Sequence, residues 1–408
     1  MNIWLLRTSE TIPAVSPNER LMRMGMLAEE LSGRGHNVTW FSGTLNHFTK
    51  KQLFKQDTIV KVKDNYYINL SYAQGYKKNI SVSRILYHMK IARKFQKQAK
   101  KMEKPDIIYV AFPTIEYAEV AVKYGKKHNI PVIVDIRDLW PDIFKHNLKG
   151  FTKIAAMPYI KLMNHKTKKI MKNAFAINAV SEAMLEWGLK KGKREKSKFD
   201  RFFYIGYKTH DANAIKTNNC KMDKNKFNIS FFATINNQFD YDKIAQIAKE
   251  LEKRDKTIVI NICGDGPQKE ILIKKINNIS NIKLRGWSGK DELNEILQNS
   301  KMGLAPYKNT FDFQMSVSNK FAEYLSYGLP IILTSEGYMK SLIEKNECGI
   351  SSKSIDEICN YIIELKNKKE KYDEISKNAI KLYKKDFMAE KIYKNLADYL
   401  EEIKGGLI

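Results

Sequence analysis

Three short stretches carry the residues best suited to chemistry. The first is Ser316-Val317-Ser318-Asn319-Lys320-Phe321-Ala322-Glu323-Tyr324-Leu325, followed by Gly328-Leu329-Pro330 and an apolar strand. A serine or asparagine that opens a helix leaves backbone N–H groups unpaired, and the helix dipole there favours an anion. Lys320, in the first turn, adds a point charge suited to a phosphate. Glu323 lies one turn on, where a carboxylate can accept two hydrogen bonds from a ribose diol. The same letters also fit an N-cap followed by a surface pair of Lys320 with Glu323, worth only about 0.2–0.5 kcal/mol. The second stretch is Cys263-Gly264-Asp265-Gly266-Pro267 at the end of a strand. Its glycines permit a sharp turn and close approach of a ligand to main-chain amides, or simply a strand-to-helix turn with positive φ. It is neither G-x-G-x-x-G nor a P-loop. The third is Asp135-Ile136-Arg137-Asp138-Leu139-Trp140-Pro141-Asp142, three carboxylates around one arginine, able to position hydroxyl groups or accept a proton. Asp138 is the functional candidate among them; Asp135 also fits a sheet cap, and Asp142 a helix start after Pro141.

Positioning such residues requires strands whose carboxyl ends face a ligand. The first 140 residues alternate short apolar strands (Ile3–Leu6, Asn37–Ser42, Asp106–Ala111, Pro131–Ile136) with helical patterns, one ending in Gly33-Arg34-Gly35-His36. A further step carries Ala174–Val180 into Ser181. After Phe202-Phe203-Tyr204-Ile205-Gly206 comes a polar stretch, Lys208–Lys226, that reads as a linker. The alternation then restarts at Ile229–Ala233 and runs through Pro330–Leu333, and a helical segment over Ile355–Gly405 is long enough to return to the first domain. The expectation is an α/β protein of two tandem Rossmann-like, doubly wound domains facing across a cleft. Residues 1–207 form the first domain, 208–384 the second, and 385–408 a helix packing back on the first. Ligands in such sheets bind at the strands' carboxyl ends.

A chain of 408 residues suits two domains, and 43% hydrophobic with 28% charged residues suits buried cores rather than a disordered tail. No apolar run reaches the roughly eighteen residues of a membrane span, and the N-terminus reads as a strand rather than a signal peptide, so a cytoplasmic location is expected. Cys220, Cys263, Cys348 and Cys359 lack metal or disulfide spacing and read as reduced thiols, mostly buried. The net charge of +26 is unevenly spread. Residues 1–207 hold 38 Lys+Arg against 17 Asp+Glu, and residues 208–408 hold 33 against 28. Lysine outnumbers arginine heavily, as in AT-rich genomes, but a genome-wide bias does not explain the asymmetry. An interaction surface for an anionic membrane or a nucleic acid does, and scarce arginine disfavours sequence-specific DNA reading. In Arg84–Lys101, apolar Ile85, Met89, Ala92, Phe95 and Ala99 recur at helical spacing between basic residues, as in an interfacial helix or in an outer helix whose stripe faces the core.

Taken together, Gly264-Asp265-Gly266-Pro267, Gly286, Ala305-Pro306, Asn319-Lys320-x-x-Glu323-Tyr324-Leu325 and Gly328-x-Pro330 resemble the second domain of family-4 retaining glycosyltransferases of the GT-B fold. In the first half, Leu27-Ala28-x-x-Leu31, Arg34-Gly35-His36-x-Val38, Asp135-x-Arg137-Asp138-x-Trp140-Pro141, Val180-Ser181-Glu182 and Tyr204-Ile205-Gly206 are placed similarly. The resemblance spans nearly the whole chain and is strongest to bacterial enzymes that build capsule, O-antigen or related surface polysaccharides, often transferring N-acetylated amino sugars. It implies transfer from a nucleotide sugar, most often a UDP sugar, with retained anomeric configuration, without metal or other cofactor. Lys320 would neutralise the leaving diphosphate with the helix start at Ser318 and Asn319, Glu323 would hold the ribose, and Asp138 would orient donor sugar or acceptor. Gly264, Asp265 and Gly266 would shape the floor of the nucleotide pocket. Two departures stand out. Met315 occupies the position of the family's first glutamate, and Ala233-Thr234-Ile235-Asn236-Asn237-Gln238 lacks its arginine, leaving Lys243 or backbone amides as substitutes.

The resemblance also gives the charge a place. The first domain takes the acceptor, here a lipid-linked or glycan acceptor, and its basic surface would dock peripherally on the anionic inner face of the membrane. No nucleic-acid partner is then needed. A basic nucleic-acid-binding protein is the alternative from another class; a nucleotide-sugar epimerase or an inverting transferase of the same fold is disfavoured by Asn319-Lys320-x-x-Glu323.

Overall fold

The computed structural model describes residues 1–12, 15, 21–148, 150–208 and 222–406. The chain divides into two units, Met1–Tyr204 with Lys391–Ile408, and Ile205–Glu390. The sequence-derived boundaries at 207/208 and 384/385 therefore differ from these by a few residues. Most of the expected linker, residues 209–221 with Cys220, lies outside the described residues. Met222, at its end, is buried against Cys263 and Ile296 and belongs to the second unit's core.

The first unit runs β1 (Asn2–Leu6), α1 (Arg23–Gly33), β2 (Asn37–Gly43), β3 (Thr58–Lys63), β4 (Tyr66–Ser71), α2 (Val82–Ala99), β5 (Ile107–Phe112), α3 (Ile115–His128), β6 (Val132–Ile136), α4 (Asp142–Asn147), α5 (Gly150–Asn173), β7 (Ala176–Ala179), α6 (Glu182–Gly192) and β8 (Arg201–Phe202). The sheet order is β3-β4-β2-β1-β5-β6-β7-β8, parallel except where β3 pairs antiparallel with β4. That hairpin was not anticipated: β3 alternates exposed and half-buried residues, so it lacks the continuous apolar run that marks the central strands. β5 is buried along its whole length, as a strand covered on both faces must be. Trp4, Phe41, Phe95 and Tyr124 interlock beneath α2 and α3, with ring centroids 5.0–5.9 Å apart. Of the apolar stripe expected on α2, Ala92, Phe95 and Ala99 are buried, with Ile91 beside them, whereas Ile85 and Met89 are half-buried. The later turns of the stripe thus face the core, as in an outer helix of the sheet.

The second unit runs β9 (Phe227–Phe232), α7 (Tyr241–Arg254), β10 (Ile258–Cys263), α8 (Lys269–Ile276), β11 (Ile282–Gly286), α9 (Lys290–Gln298), β12 (Met302–Ala305), α10 (Phe311–Met315), α11 (Asn319–Ser326), β13 (Ile331–Leu333), α12 (Tyr338–Asn346), β14 (Gly349–Ser351), α13 (Ile355–Asn367) and α14 (Lys369–Leu382), with a π-helical turn at Tyr383–Phe387. Its sheet is wholly parallel, in the order β11-β10-β9-β12-β13-β14. This is the doubly wound arrangement in which the order reverses between β9 and β12, the crevice where such sheets take ligands. The last helix, α15 (Ala389–Gly405), is separate from α13 and α14, so the expected single helical segment is three helices and a π turn. Most of α15 belongs to the first unit. Arg34 there reaches Asp398 (2.6 Å) and Glu401 (3.0 Å), Arg201 forms a fork with Glu402, and Lys404 meets Asp106 at 2.6 Å. No described helix is long and apolar enough to cross a membrane.

Candidate active site

In the second unit a cavity of about 220 Å³ opens at the carboxyl ends of β9, β10 and β11. Phe232–Thr234, Cys263–Asp265, Trp287 and Lys320 form most of its wall. The turn after β10 rests directly on the loop after β9. Ile235 N–H donates to the Asp265 carbonyl (2.9 Å), and Gln268 N–H to the Ile235 carbonyl (3.0 Å). Gly264 has φ +141, and a Cβ there would lie 1.8 Å from the Ala233 carbonyl oxygen. A Cβ on Gly266 would come within 2.4 Å of the Ile235 oxygen. The glycines therefore exist to let two loops touch. The Gly264 N–H is taken by the Gly286 carbonyl, so it is not a donor for a ligand, contrary to one of the sequence-based readings. Asp265 is exposed and pairs with Lys269 at 2.8 Å.

α11 starts where the sequence placed it. Ser318 is the N-cap, its hydroxyl accepting from Phe321 N–H at 3.3 Å, and Asn319 is exposed in the first turn. Lys320 points over two aromatic faces, with Nζ 5.6 Å from the Phe232 ring centroid and 5.1 Å from that of Phe239. Among the described residues no carboxylate lies within ion-pairing distance of it, and burial lowers its pKa to about 8, with the nearby Glu323 opposing that shift. Glu323 is buried rather than on the surface, and accepts a hydrogen bond from the Tyr207 hydroxyl at 2.6 Å. The surface-pair alternative for Lys320 and Glu323 is thereby removed. Tyr324 fixes the helix from behind: its ring covers Gly303, where a Cβ would meet ring atoms at 2.3 Å, and its hydroxyl points to the Ser230 and Leu304 carbonyls. Lys243 is not on the cavity wall; its ammonium donates to the Thr334 carbonyl at 3.0 Å. Met315 ends the short helix α10.

Asp138 lies in the first unit, at the carboxyl end of β6, half-buried, with one oxygen accepting its neighbour Leu139 N–H at 2.8 Å. The three-carboxylate picture of its stretch is corrected. Asp142 is tied to Trp187 Nε1 and Lys191, each at 2.9 Å, and fixes α4 to α6. Asp135 is fully buried between two arginines, accepting from Arg23 at 3.0 and 3.1 Å and from Arg137 at 2.6 Å, while Arg137 also reaches Glu10. Burial alone would raise the Asp135 pKa, but the two guanidinium groups outweigh it and hold it at about 2. Arg23 further donates to the Phe203 and Tyr204 carbonyls, tying α1 to the end of the first unit's chain.

Trp287, Phe232, Phe239 and Tyr207 were not singled out from sequence. Trp287 follows Gly286, the last residue of β11, and is 75% exposed on the cavity wall, an uncovered aromatic face. A tryptophan set between Gly286 and Ser288-Gly289 at a strand's end is the signal the sequence holds for it. The cavity wall offers a half-buried cation from the first turn of a helix and an aromatic face over a glycine-shaped floor, while Glu323, one turn on, is buried and not part of that wall. A cation and a flat aromatic face side by side can hold an aromatic group that carries an anion.

The two doubly wound sheets, one wholly parallel and one parallel but for β3, match the GT-B fold of glycosyltransferases of known structure. Residues 23–198 match the family described as Glycosyltransferase Family 4, and residues 242–395 match Glucosyltransferase 3-like, C-terminal domain. No curated protein matches the sequence. Among solved structures the chain is similar to sucrose-phosphate synthase from Thermosynechococcus elongatus (TM-score 0.70, 11% identity, 100% of both chains). It is also similar to HepE from Anabaena in complex with UDP-glucose (TM-score 0.62, 13% identity, 98% of this chain and 100% of that one). A third similar structure is WaaG, a glycosyltransferase involved in lipopolysaccharide biosynthesis (TM-score 0.58, 12% identity, 98% and 99%). At such identities the structures show the fold; with the two family matches they support a GT-B glycosyltransferase.

Proposed function

We propose that this protein is a retaining glycosyltransferase that moves a hexosyl group, an N-acetylated amino sugar, from a UDP sugar to a lipid-linked or glycan acceptor in the synthesis of a bacterial surface polysaccharide such as a capsule. The observation that carries this reading is Lys320. A cation withdrawn from water without an anionic partner is unfavourable unless a ligand supplies the anion, and its place at the start of α11 suits a diphosphate. In the reaction the bond from the anomeric carbon to the diphosphate oxygen breaks, its electron pair leaving with the diphosphate. The acceptor oxygen bonds to that carbon on the same face and gives up its proton. Lys320, Ser318 and the amides around Asn319 stabilise the charge that develops on the leaving group, an electrostatic form of catalysis that asks for no metal or other cofactor. Glu323, held by Tyr207, receives the ribose hydroxyls; Trp287 stacks on the base; Asp138 orients the acceptor. The HepE and WaaG structures, whose descriptions name UDP-glucose and lipopolysaccharide biosynthesis, are consistent with this chemistry. The basic first half supports peripheral docking of the enzyme on the anionic inner face of the membrane.

The test is a thermal-shift titration with UDP, GDP, ADP and UDP-N-acetylglucosamine, with and without EDTA. A ligand bound by the native state alone raises the melting temperature. A rise selective for the UDP compounds that survives EDTA is the expected result; no rise with any nucleotide overturns the proposal.

A further inference from the structure

Tyr207, whose hydroxyl holds Glu323, stands just past the point where the chain leaves its first unit, after Tyr204. Its main chain is tied to the segment that precedes the return, after Glu390. The Tyr207 N–H donates to the Phe387 carbonyl at 2.9 Å, and the Tyr207 carbonyl accepts from Ala389 N–H at 3.0 Å, which makes a parallel bridge of Tyr207 with Met388. The Tyr383 hydroxyl donates to the same carbonyl at 2.8 Å. All of these residues belong to the second unit. One position earlier, Gly206 permits the pairing. A Cβ there would lie 2.5 Å from the Ala389 Cα, a main-chain atom that cannot yield as the end of a flexible side chain can.

The returning segment touches α11 as well. The π-helical turn buries both of its ends, Tyr383 and Phe387, and such turns recur at functional sites. Phe387 meets the Phe321 ring of α11, the centroids 5.6 Å apart, and both rings are fully buried. The helix is thereby gripped at two neighbouring points, Phe321 through Phe387 and Glu323 through Tyr207. The two gripping segments lie far apart in sequence and are hydrogen-bonded to each other. At 2.6 Å the bond from the Tyr207 hydroxyl to Glu323 Oε1 is of the charge-assisted kind, which orients a carboxylate.

We infer that Gly206, Tyr207 and the segment Phe387–Ala389 form a clasp that fixes the Glu323 carboxylate, and that through Glu323 the clasp sets the preference for a ribonucleotide donor over its 2′-deoxy counterpart. Tyr207 is in this a positioning residue: it acts on the ligand through Glu323. The inference rests on the transferase reading, in which Glu323 receives the ribose hydroxyls. A site built to hydrogen-bond a hydroxyl rejects an analogue that lacks it. That rejection depends on the carboxylate being held in one place, and the structure holds it from outside its own helix.

The experiment uses the whole protein and measures binding of UDP and 2′-deoxy-UDP to wild type, Tyr207→Phe, Gly206→Ala and the double variant, with the unfolding temperature of each. Wild type should prefer UDP at least about tenfold. Tyr207→Phe should weaken UDP roughly fivefold, the order of one lost hydrogen bond, and 2′-deoxy-UDP much less, so that the preference narrows. Gly206→Ala keeps the hydroxyl but forces the two segments apart, and should narrow the preference likewise. The double variant should narrow it no further, since both changes act through Glu323. Tyr383→Phe, which removes only the hydroxyl on the Tyr207 carbonyl, should narrow it less, and it stands in for Gly206→Ala if that variant does not fold. A lowered unfolding temperature with the preference unchanged in every variant would leave the clasp a merely structural role and overturns the inference. Independent, additive effects of the two substitutions overturn it too, as does equal affinity of wild type for the two nucleotides. Absence of UDP binding by wild type rejects the transferase reading and the clasp together, whereas UDP binding with an unaltered preference rejects the clasp alone.

Discussion

Asp135 in the first unit and Lys320 in the second are both withdrawn from solvent, and their surroundings treat the charge in opposite ways. Asp135 is clamped by two arginines, one of which is itself held by Glu10 and the other by two carbonyls. Lys320 has aromatic faces and a helix start but no counter-ion among the described residues. A charge whose every contact is filled by the protein holds elements together; a charge left without its partner is available to a ligand.

The largest effect should come from breaking the closed cluster. Asp135→Ala leaves two guanidinium groups buried without their carboxylate and should destabilise the protein by about 3–5 kcal/mol in urea unfolding; a loss under about 1 kcal/mol would mean that the cluster does not bear on stability. The carboxylate's depressed pKa has a matching signature. Its contribution is complete above about pH 4, the unfolded value, and is lost as the pH falls toward 2. Opening the other member of the comparison should do the reverse. Lys320→Ala and Glu323→Ala should lower donor turnover, read as UDP release, by roughly 10²–10³-fold, and the lysine variant should be no less stable than wild type. Near wild-type turnover in either would remove that residue from the site. Trp287→Ala should weaken UDP binding by about 1–3 kcal/mol, the worth of a stacked base, without a change in stability, since that ring is mostly exposed. The smallest change is expected for Tyr207→Phe, about 1 kcal/mol in UDP affinity through a less firmly held Glu323; an unchanged affinity would detach Tyr207 from the site.

What was legible in the sequence follows the same division. The second-unit site is built largely from contiguous letters: Ser318 to Glu323 on one helix and Gly264 to Gly266 in one turn, and local rules of capping and strand-to-helix turns suffice to place them. The alternation of strands and helices likewise marked both sheets. The hairpin β3–β4 was missed because its outer strand is half-exposed and has no apolar run. The Asp135 cluster was misread as carboxylates around one arginine because Arg23 and Glu10 lie more than a hundred positions away in sequence, brought together only by the order of strands β1, β5 and β6. Even the glycines, correctly located, carried a different role from one proposed: they admit a neighbouring loop rather than presenting the Gly264 amide to a ligand.

The most direct test of the open cation is the pH dependence of UDP affinity, measured between about pH 7 and pH 9 for wild type and Lys320→Met. In the free protein burial holds Lys320 near 8, so the ammonium is lost across this range, while a bound diphosphate favours the protonated form and raises that pKa. Without ligand the sign for stability is the opposite, because between about 8 and 10.5 the unfolded chain binds the proton that the folded chain has released, and stability rises with pH there. UDP affinity of the wild type should therefore fall roughly tenfold from pH 7 to pH 9, and that of Lys320→Met should be weak and flat. A wild-type affinity that does not change across the range, or a methionine variant that binds UDP as tightly as wild type, would contradict the assignment of Lys320 as the residue that meets the diphosphate.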